Sequence, residues 1–188
     1  MASAPVLYSQ PFGPFNPLQP ETIPGLFASN IVAEAVEIDA PLELVWEIMT
    51  GFEHYPEWNP MNRFFKLDNE ARPGDTVTFG PSWGPYEEPL PEAGFTQREV
   101  LTVWEENACL SYADITRFFS AERSQYICAL DNGKTRYQTY ERISGPGGFI
   151  MKWIFGKKIL RGFTANGLAL KQRAEAFACS GQPVDNRD

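Results

Sequence analysis

Two carboxylates and two phenols, Glu34, Glu141, Tyr126 and Tyr137, stand on stretches whose alternation reads as β-strand. Successive strand residues face opposite sides of a sheet, so each of the four can point into an interior. Glu34 shares a face with Val32, Val36 and Ile38. A carboxylate on such an apolar stripe is desolvated, its pKa rises, and it suits proton transfer near neutral pH. An ion pair of Glu34 with Arg63 or Arg123 is the equal alternative. On "RSQYICAL", Tyr126 and Cys128 share one face, and Gln125 and Ile127 the other. On "TRYQTYERI", Tyr137, Thr139 and Glu141 oppose Arg136, Gln138, Tyr140 and Arg142.

Other chemistry finds little support. His54 is the only histidine and the only side chain whose ordinary pKa lies near neutrality, but a single residue is no catalytic dyad. No Ser-His-Asp order is present. "GPGGF" precedes a helix, as phosphate loops do, but lacks the Lys-Ser/Thr of a nucleotide loop and reads as a strand-to-helix hinge. Cys109, Cys128 and Cys179 show no metal-ligand spacing and cannot pair completely. Their number fits a reducing, cytoplasmic setting. No cofactor or metal is expected. The formal charge of −8 disfavours nucleic acid, which needs a basic footprint. "MASAPVLYSQPFGPFNPLQP" lacks the basic start and apolar run of a signal peptide, and no stretch is long enough to span a bilayer.

The elements that must position these residues follow from periodicity. Residues 1–30 carry six prolines among Leu7, Tyr8, Phe12, Phe15, Leu18 and Phe27. Proline excludes helix or central strand there, so the segment reads either as an extended arm wrapped on the domain or as a disordered tail. "NIVAEAVEI" reads as a strand and "DAPLELVWEIMTGF" as a helix capped by Asp39 and ended at Gly51. Strands are expected at "RFFKL", "DTVTF", "REVLTVW", "LSYADI", "RSQYICAL" and "TRYQTYERI", with a tight hairpin at Asn132-Gly133. "GPSWGPYEEPLPEAG" is a loop. From Phe149 to Phe177 a stripe runs through Trp153, Gly156, Leu160, Phe163, Gly167, Leu170 and Ala174, which is one face of a long helix. Glycines cost about 1 kcal/mol each inside a helix, so Gly156 and Gly167 are expected either to leave room for a ligand or to let the helix pack closely on the sheet.

"VEIDAPLELVWEIMTGFEHYPEWNP", and "NGKTRYQTYERISG" before a long helix, resemble the START-like (SRPBCC) helix-grip superfamily in its polyketide cyclase/dehydrase and lipid-transport branch. The resemblance implies an α+β fold: a curved antiparallel sheet of about seven strands around a long C-terminal helix. Two short helices follow the first strand, and an apolar cavity lies within. The domain spans residues 31–179, with a tail at 180–188. In this superfamily the Trp-Asn-Pro turn closes one cavity end, so Trp58 and Asn59, although candidates for ligand contact, weigh more as structural residues. The family hairpin favours Tyr126, Tyr137 and Glu141 inward. Arg63, Trp83, Tyr112, Arg123, Trp153, Gly156, Leu160, Phe163 and Gly167 complete the ligand-binding candidates. The residues at 1–30 and 80–94 depart from the family pattern and are candidate lids.

The resemblance leaves two functions. One is a cofactor-independent cyclase-type enzyme that holds a polyketide or related molecule and promotes ring closure or dehydration. The other is a non-catalytic carrier of a lipid, sterol or isoprenoid. Between Phe149 and Cys179 six basic residues face one acid, a local +5 that leaves −13 for the rest. Lys157, Lys158 and Arg161 cluster off the apolar stripe. They are either a solvated face drawn to the acidic body or a docking patch for a carrier protein or an anionic membrane surface. The chain is expected to be a monomer or dimer.

Overall fold

Alternating apolar and polar residues over most of the chain dictate strands, and one long apolar stripe at the end dictates a helix to cover them. The computed structural model describes residues 29–82 and 96–180. Most of the expected N-terminal arm, the Pro-rich loop with Trp83 and the C-terminal tail lie outside the described residues. The order is β1 (Ser29–Val32), β2 (Val36–Ile38), α1 (Leu42–Thr50), a 3-10 turn (Phe52–His54), α2 (Tyr55–Trp58), β3 (Asn62–Leu67), β4 (Thr76–Pro81), β5 (Gln97–Glu105), β6 (Cys109–Ile115), β7 (Ser120–Ala129), β8 (Thr135–Ser144) and α3 (Pro146–Ser180). One antiparallel sheet runs β1-β8-β7-β6-β5-β4-β3, with β2 also on β8. This is the helix-grip arrangement.

The expected single first strand is broken. Val32 pairs with Tyr140 and Val36 with Tyr137, so three residues of the edge strand oppose two of β8. The extra residue is a bulge, which resets the alternation. Ala33 is tied inward by its N–H to Thr139 O at 3.1 Å, and Glu34 is expelled to solvent.

α1 begins after Pro41, without the expected Asp39 cap. The Asp39 N–H donates to Glu175 Oε1 at 2.9 Å, and its carboxylate pairs with Lys134 at 3.3 Å. The stretch that follows is structural. The Tyr55 hydroxyl donates to Met49 O at 2.7 Å, and Asn59 Oδ1 accepts from the N–H groups of Met61 and Asn62 at 3.1 and 2.8 Å. Trp58 is buried edge-on against Tyr55. His54 is bonded to Glu57 at 2.9 Å, and Glu57 also pairs with Arg173 of α3.

The interior has two clusters. The larger joins α1, α2 and the C-terminal half of α3 to the sheet through Trp46, Met49, Phe52, Tyr55, Phe65, Phe79 and Leu170. The smaller gathers Ile31, Met61, Ala121, Ile143, Ile159 and Phe163, with Phe119 and Met151 packed on it. In α3 the expected stripe holds for Phe163, Gly167, Leu170 and Ala174, but Phe149, Trp153 and Leu160 are exposed. In the first turns it is Met151, Phe155 and Ile159 that turn inward.

Gly167 does not leave room for a ligand. A Cβ there would lie 3.3 Å from Tyr137 Cε1 and 3.4 Å from Val36 Cγ2, so the helix packs directly on β8 and β2. Gly167→Leu is therefore expected to lower stability by about 1–3 kcal/mol through overpacking. Equal denaturant midpoints for variant and wild type would show slack at this contact.

Candidate functional site

A cavity of about 550 Å³ lies between the sheet and the first half of α3. Its walls are largely apolar: Met61, Phe79, Phe119, Met151, Ile159 and Phe163. Phe155 and Lys158 line it and are also exposed, which marks its mouth. Into these walls project Glu99 from β5, Tyr112 and Asp114 from β6, Arg123 from β7 and Glu141 from β8. Antiparallel pairing sets Arg123 directly opposite both Tyr112 and Glu141, so the polar groups form a band across three neighbouring strands.

Arg123 organises the cavity floor. It donates to Tyr112 Oη at 3.0 Å, Thr139 Oγ1 at 3.3 Å and Asn166 Oδ1 at 2.7 Å, and it stands over the Phe163 ring at 4.6 Å. Behind it the Tyr137 hydroxyl donates to Gln125 Oε1 at 3.0 Å. Tyr112 Oη also accepts from Asn62 Nδ2 at 3.3 Å. With both lone pairs engaged, the Tyr112 O–H is left to donate toward the cavity. Burial raises the Tyr112 pKa, so the proton stays in place.

The carboxyls are displaced from their ordinary titration range. Burial pushes Glu141 up to about 7, against the opposing pull of Arg123. Glu99 is raised well above the usual value, chiefly by burial and then by the charges of Glu141 and Asp114. Burial also raises Asp114. The cavity thus holds a carboxyl poised near neutrality, two further carboxyls raised by burial, a phenolic donor and a fixed cation. Two groups separated in pKa by their surroundings are what acid–base chemistry requires.

The family model for polyketide cyclase/dehydrase and lipid transport matches residues 30–175. The chain belongs to this family. Several solved structures share the fold of the chain. The Zhui aromatase/cyclase from Streptomyces sp. R1128 has a TM-score of 0.60 at 16% identity, over 84% of this chain and 99% of that one. A START superfamily protein from Mycobacterium smegmatis gives 0.58 at 18% identity, over 80% and 99%. The di-domain ARO/CYC StfQ from the steffimycin biosynthetic pathway gives 0.57 at 11%, over 82% of this chain and 52% of that one. None of the curated proteins compared with the chain matches it. At such identities the likeness establishes the fold, not the chemistry.

Of the residues singled out from the sequence, Glu141, Tyr112, Arg123 and Phe163 line the cavity. Tyr137 faces inward but lies beneath the floor, bonded to Gln125 and Asn166. Glu34 is exposed, and Arg123 donates to neutral acceptors rather than pairing with it. Tyr126 faces the other side of β7, opposite Cys109, because the inward face carries Arg123, Gln125 and Ile127. Trp58, Asn59, Arg63, Gly156, Leu160 and Gly167 are not among the lining residues, and Trp153 is 82% exposed. Trp83 lies outside the described residues. Glu99 and Asp114 escaped sequence reasoning. The signal was a carboxylate in phase with apolar neighbours: Glu99 with Leu101, and Asp114 with Tyr112 and Leu110.

Proposed function

We propose that the chain is a cyclase-type enzyme acting on a polyketide or related polycarbonyl molecule held in the apolar cavity. The observation that carries this is Glu141, a cavity carboxyl whose pKa of about 7 leaves it substantially ionised at neutral pH. As carboxylate it would take the proton from carbon next to a carbonyl. The Tyr112 O–H would donate to that carbonyl oxygen, and Arg123 behind it would stabilise the enolate charge. The enolate carbon then attacks a second carbonyl, which closes the ring, and the alkoxide formed takes up the proton held by Glu141. Glu141 would then remove the second proton from the same carbon while Glu99 gives its proton to the hydroxyl, which leaves as water, and return of the proton from Glu141 to Glu99 resets the site. Every proton transfer is made by side chains, so the scheme calls for no cofactor. The walls fold the chain into one conformer, and positioning alone supplies much of the acceleration of a unimolecular closure.

The apolar walls also suit a carrier of a lipid, sterol or isoprenoid. Three displaced carboxyls in one cavity favour the enzyme, since a carrier gains nothing from desolvating them.

Mass analysis of a linear poly-β-ketone thioester incubated with the protein tests the proposal, with loss of one water and a cyclic product expected. Recovery of the thioester unchanged, with a lipid retained by the protein in native mass spectrometry, would favour the carrier. Ala121, in the cavity wall, provides the steric control. Ala121→Phe should reduce conversion at least about tenfold by occupying substrate volume, while thermal unfolding remains cooperative. Undiminished conversion in the folded variant would place the reaction elsewhere.

A further inference from the structure

The first turns of α3 turn an apolar face to solvent. Phe149, Ile150, Trp153 and Ile154 project from one side of the helix and are 62, 58, 82 and 53% exposed. Phe118, 72% exposed, stands beside them on the turn between β6 and β7. The Gly147 N–H bonds to Phe118 O at 3.4 Å, and Gly145 has φ +84 where a Cβ would collide with that carbonyl. The glycine hinge thus brings the turn and the helix start together. Five large apolar side chains form one tip of the molecule.

Cations stand next to this tip. Lys157, Lys158 and Arg161 are exposed in the following turns, and Arg117 is exposed beside Phe118. Residues 115–121 and 144–161 contain Arg117, Lys152, Lys157, Lys158 and Arg161 and no acid, in a chain of net charge −8. The centres of the apolar and basic groups are about seven residues apart, roughly 10 Å along the helix. That matches the roughly 5–10 Å by which interfacial apolar faces enter a bilayer, leaving basic side chains at the phosphates. Trp and Phe at the tip also suit the headgroup boundary. A second copy of the chain fits less well, because a two-fold contact would set the same cations against one another.

We propose that this end of the molecule docks on an anionic lipid bilayer. Met151, Phe155 and Lys158 of the cavity come from the same turns, so docking sets the cavity mouth at the membrane surface. Entry of an apolar substrate by that route rests on the function proposed above, whereas docking itself does not.

Co-sedimentation without substrate tests the docking. The vesicles are phosphatidylcholine alone or phosphatidylcholine mixed with phosphatidylserine, at low and high salt. Wild type should partition at least about tenfold more strongly onto the serine-containing vesicles, and salt should weaken this binding. Ile150→Asp with Trp153→Asp, and separately Lys157→Glu with Arg161→Glu, should each reduce it at least about tenfold. These positions are exposed, so both variants should retain the wild-type circular dichroism and melting temperature. Absence of wild-type binding to either vesicle, or equal binding by wild type and both folded variants, would overturn the proposal. So would a dimer in light scattering that Trp153→Asp dissolves while no form binds vesicles.

Discussion

Glu141→Gln is expected to stabilise the protein at pH 8 while removing the activity proposed above. The Glu141 pKa rises from 4.5 to about 7 on folding. Between those values the native state holds a proton that the unfolded chain has released, so stability falls as pH rises through the window. At about 1.4 kcal/mol per unit, ionisation of this carboxyl costs up to about 3 kcal/mol above pH 7. The amide keeps the shape and cannot ionise, so the variant should regain most of that above neutrality and gain nothing near pH 4. Urea unfolding of both proteins from pH 4 to 8 checks this, since other titrating groups cancel in the difference. A gap that stays constant with pH would mean that Glu141 titrates normally. The same change should lower turnover by about 100-fold or more, because the amide cannot accept the substrate proton.

Arg123→Met is expected to cost about 3 kcal/mol or more, because it removes one charged donor from each of three buried acceptors. The affected groups are Tyr112 Oη, Thr139 Oγ1 and Asn166 Oδ1, around an arginine only 5% exposed. Methionine fills much of the same volume, so the loss reports on the polar contacts rather than on a void. Removing the cation that holds the Glu141 pKa down should also move that carboxyl above its wild-type value of about 7. Denaturant midpoints and a carboxyl titration read the two effects separately. An unchanged midpoint would reduce the guanidinium to a space-filling role.

Much of this architecture was legible in the sequence because strand alternation and helix period are strong where one face is buried. The α1 periodicity, the Asn132-Gly133 hairpin and the second half of α3 all stand where their patterns place them. Alternation assigns residues to faces without saying which face is inside. On β8 Tyr137, Thr139 and Glu141 face inward, the side that the family hairpin implies for Tyr137 and Glu141. On β7 the polar Arg123 and Gln125 point inward while Tyr126 points away, so apolar character misleads there. A single bulged residue after Val32 was enough to move Glu34 from interior to solvent. In the first turns of α3 apolar residues occur all round the helix, and hydrophobicity alone cannot choose the buried side. The pKa displacement of Glu99 comes first from burial and then from the charges of Glu141 and Asp114, brought to it from other strands, and no local pattern carries that.

The proton abstraction proposed for Glu141 can be tested without the natural substrate. An aryl methyl ketone incubated with the protein in heavy water exchanges its methyl hydrogens only through the enolate, and NMR follows the loss of signal. Wild type should accelerate this exchange over buffer, with kcat/KM rising through a single ionisation near pH 7. Glu141→Gln should fall at least about 100-fold at every pH. Equal exchange in wild type and Glu141→Gln, or none above buffer in either, would contradict proton transfer at this carboxyl.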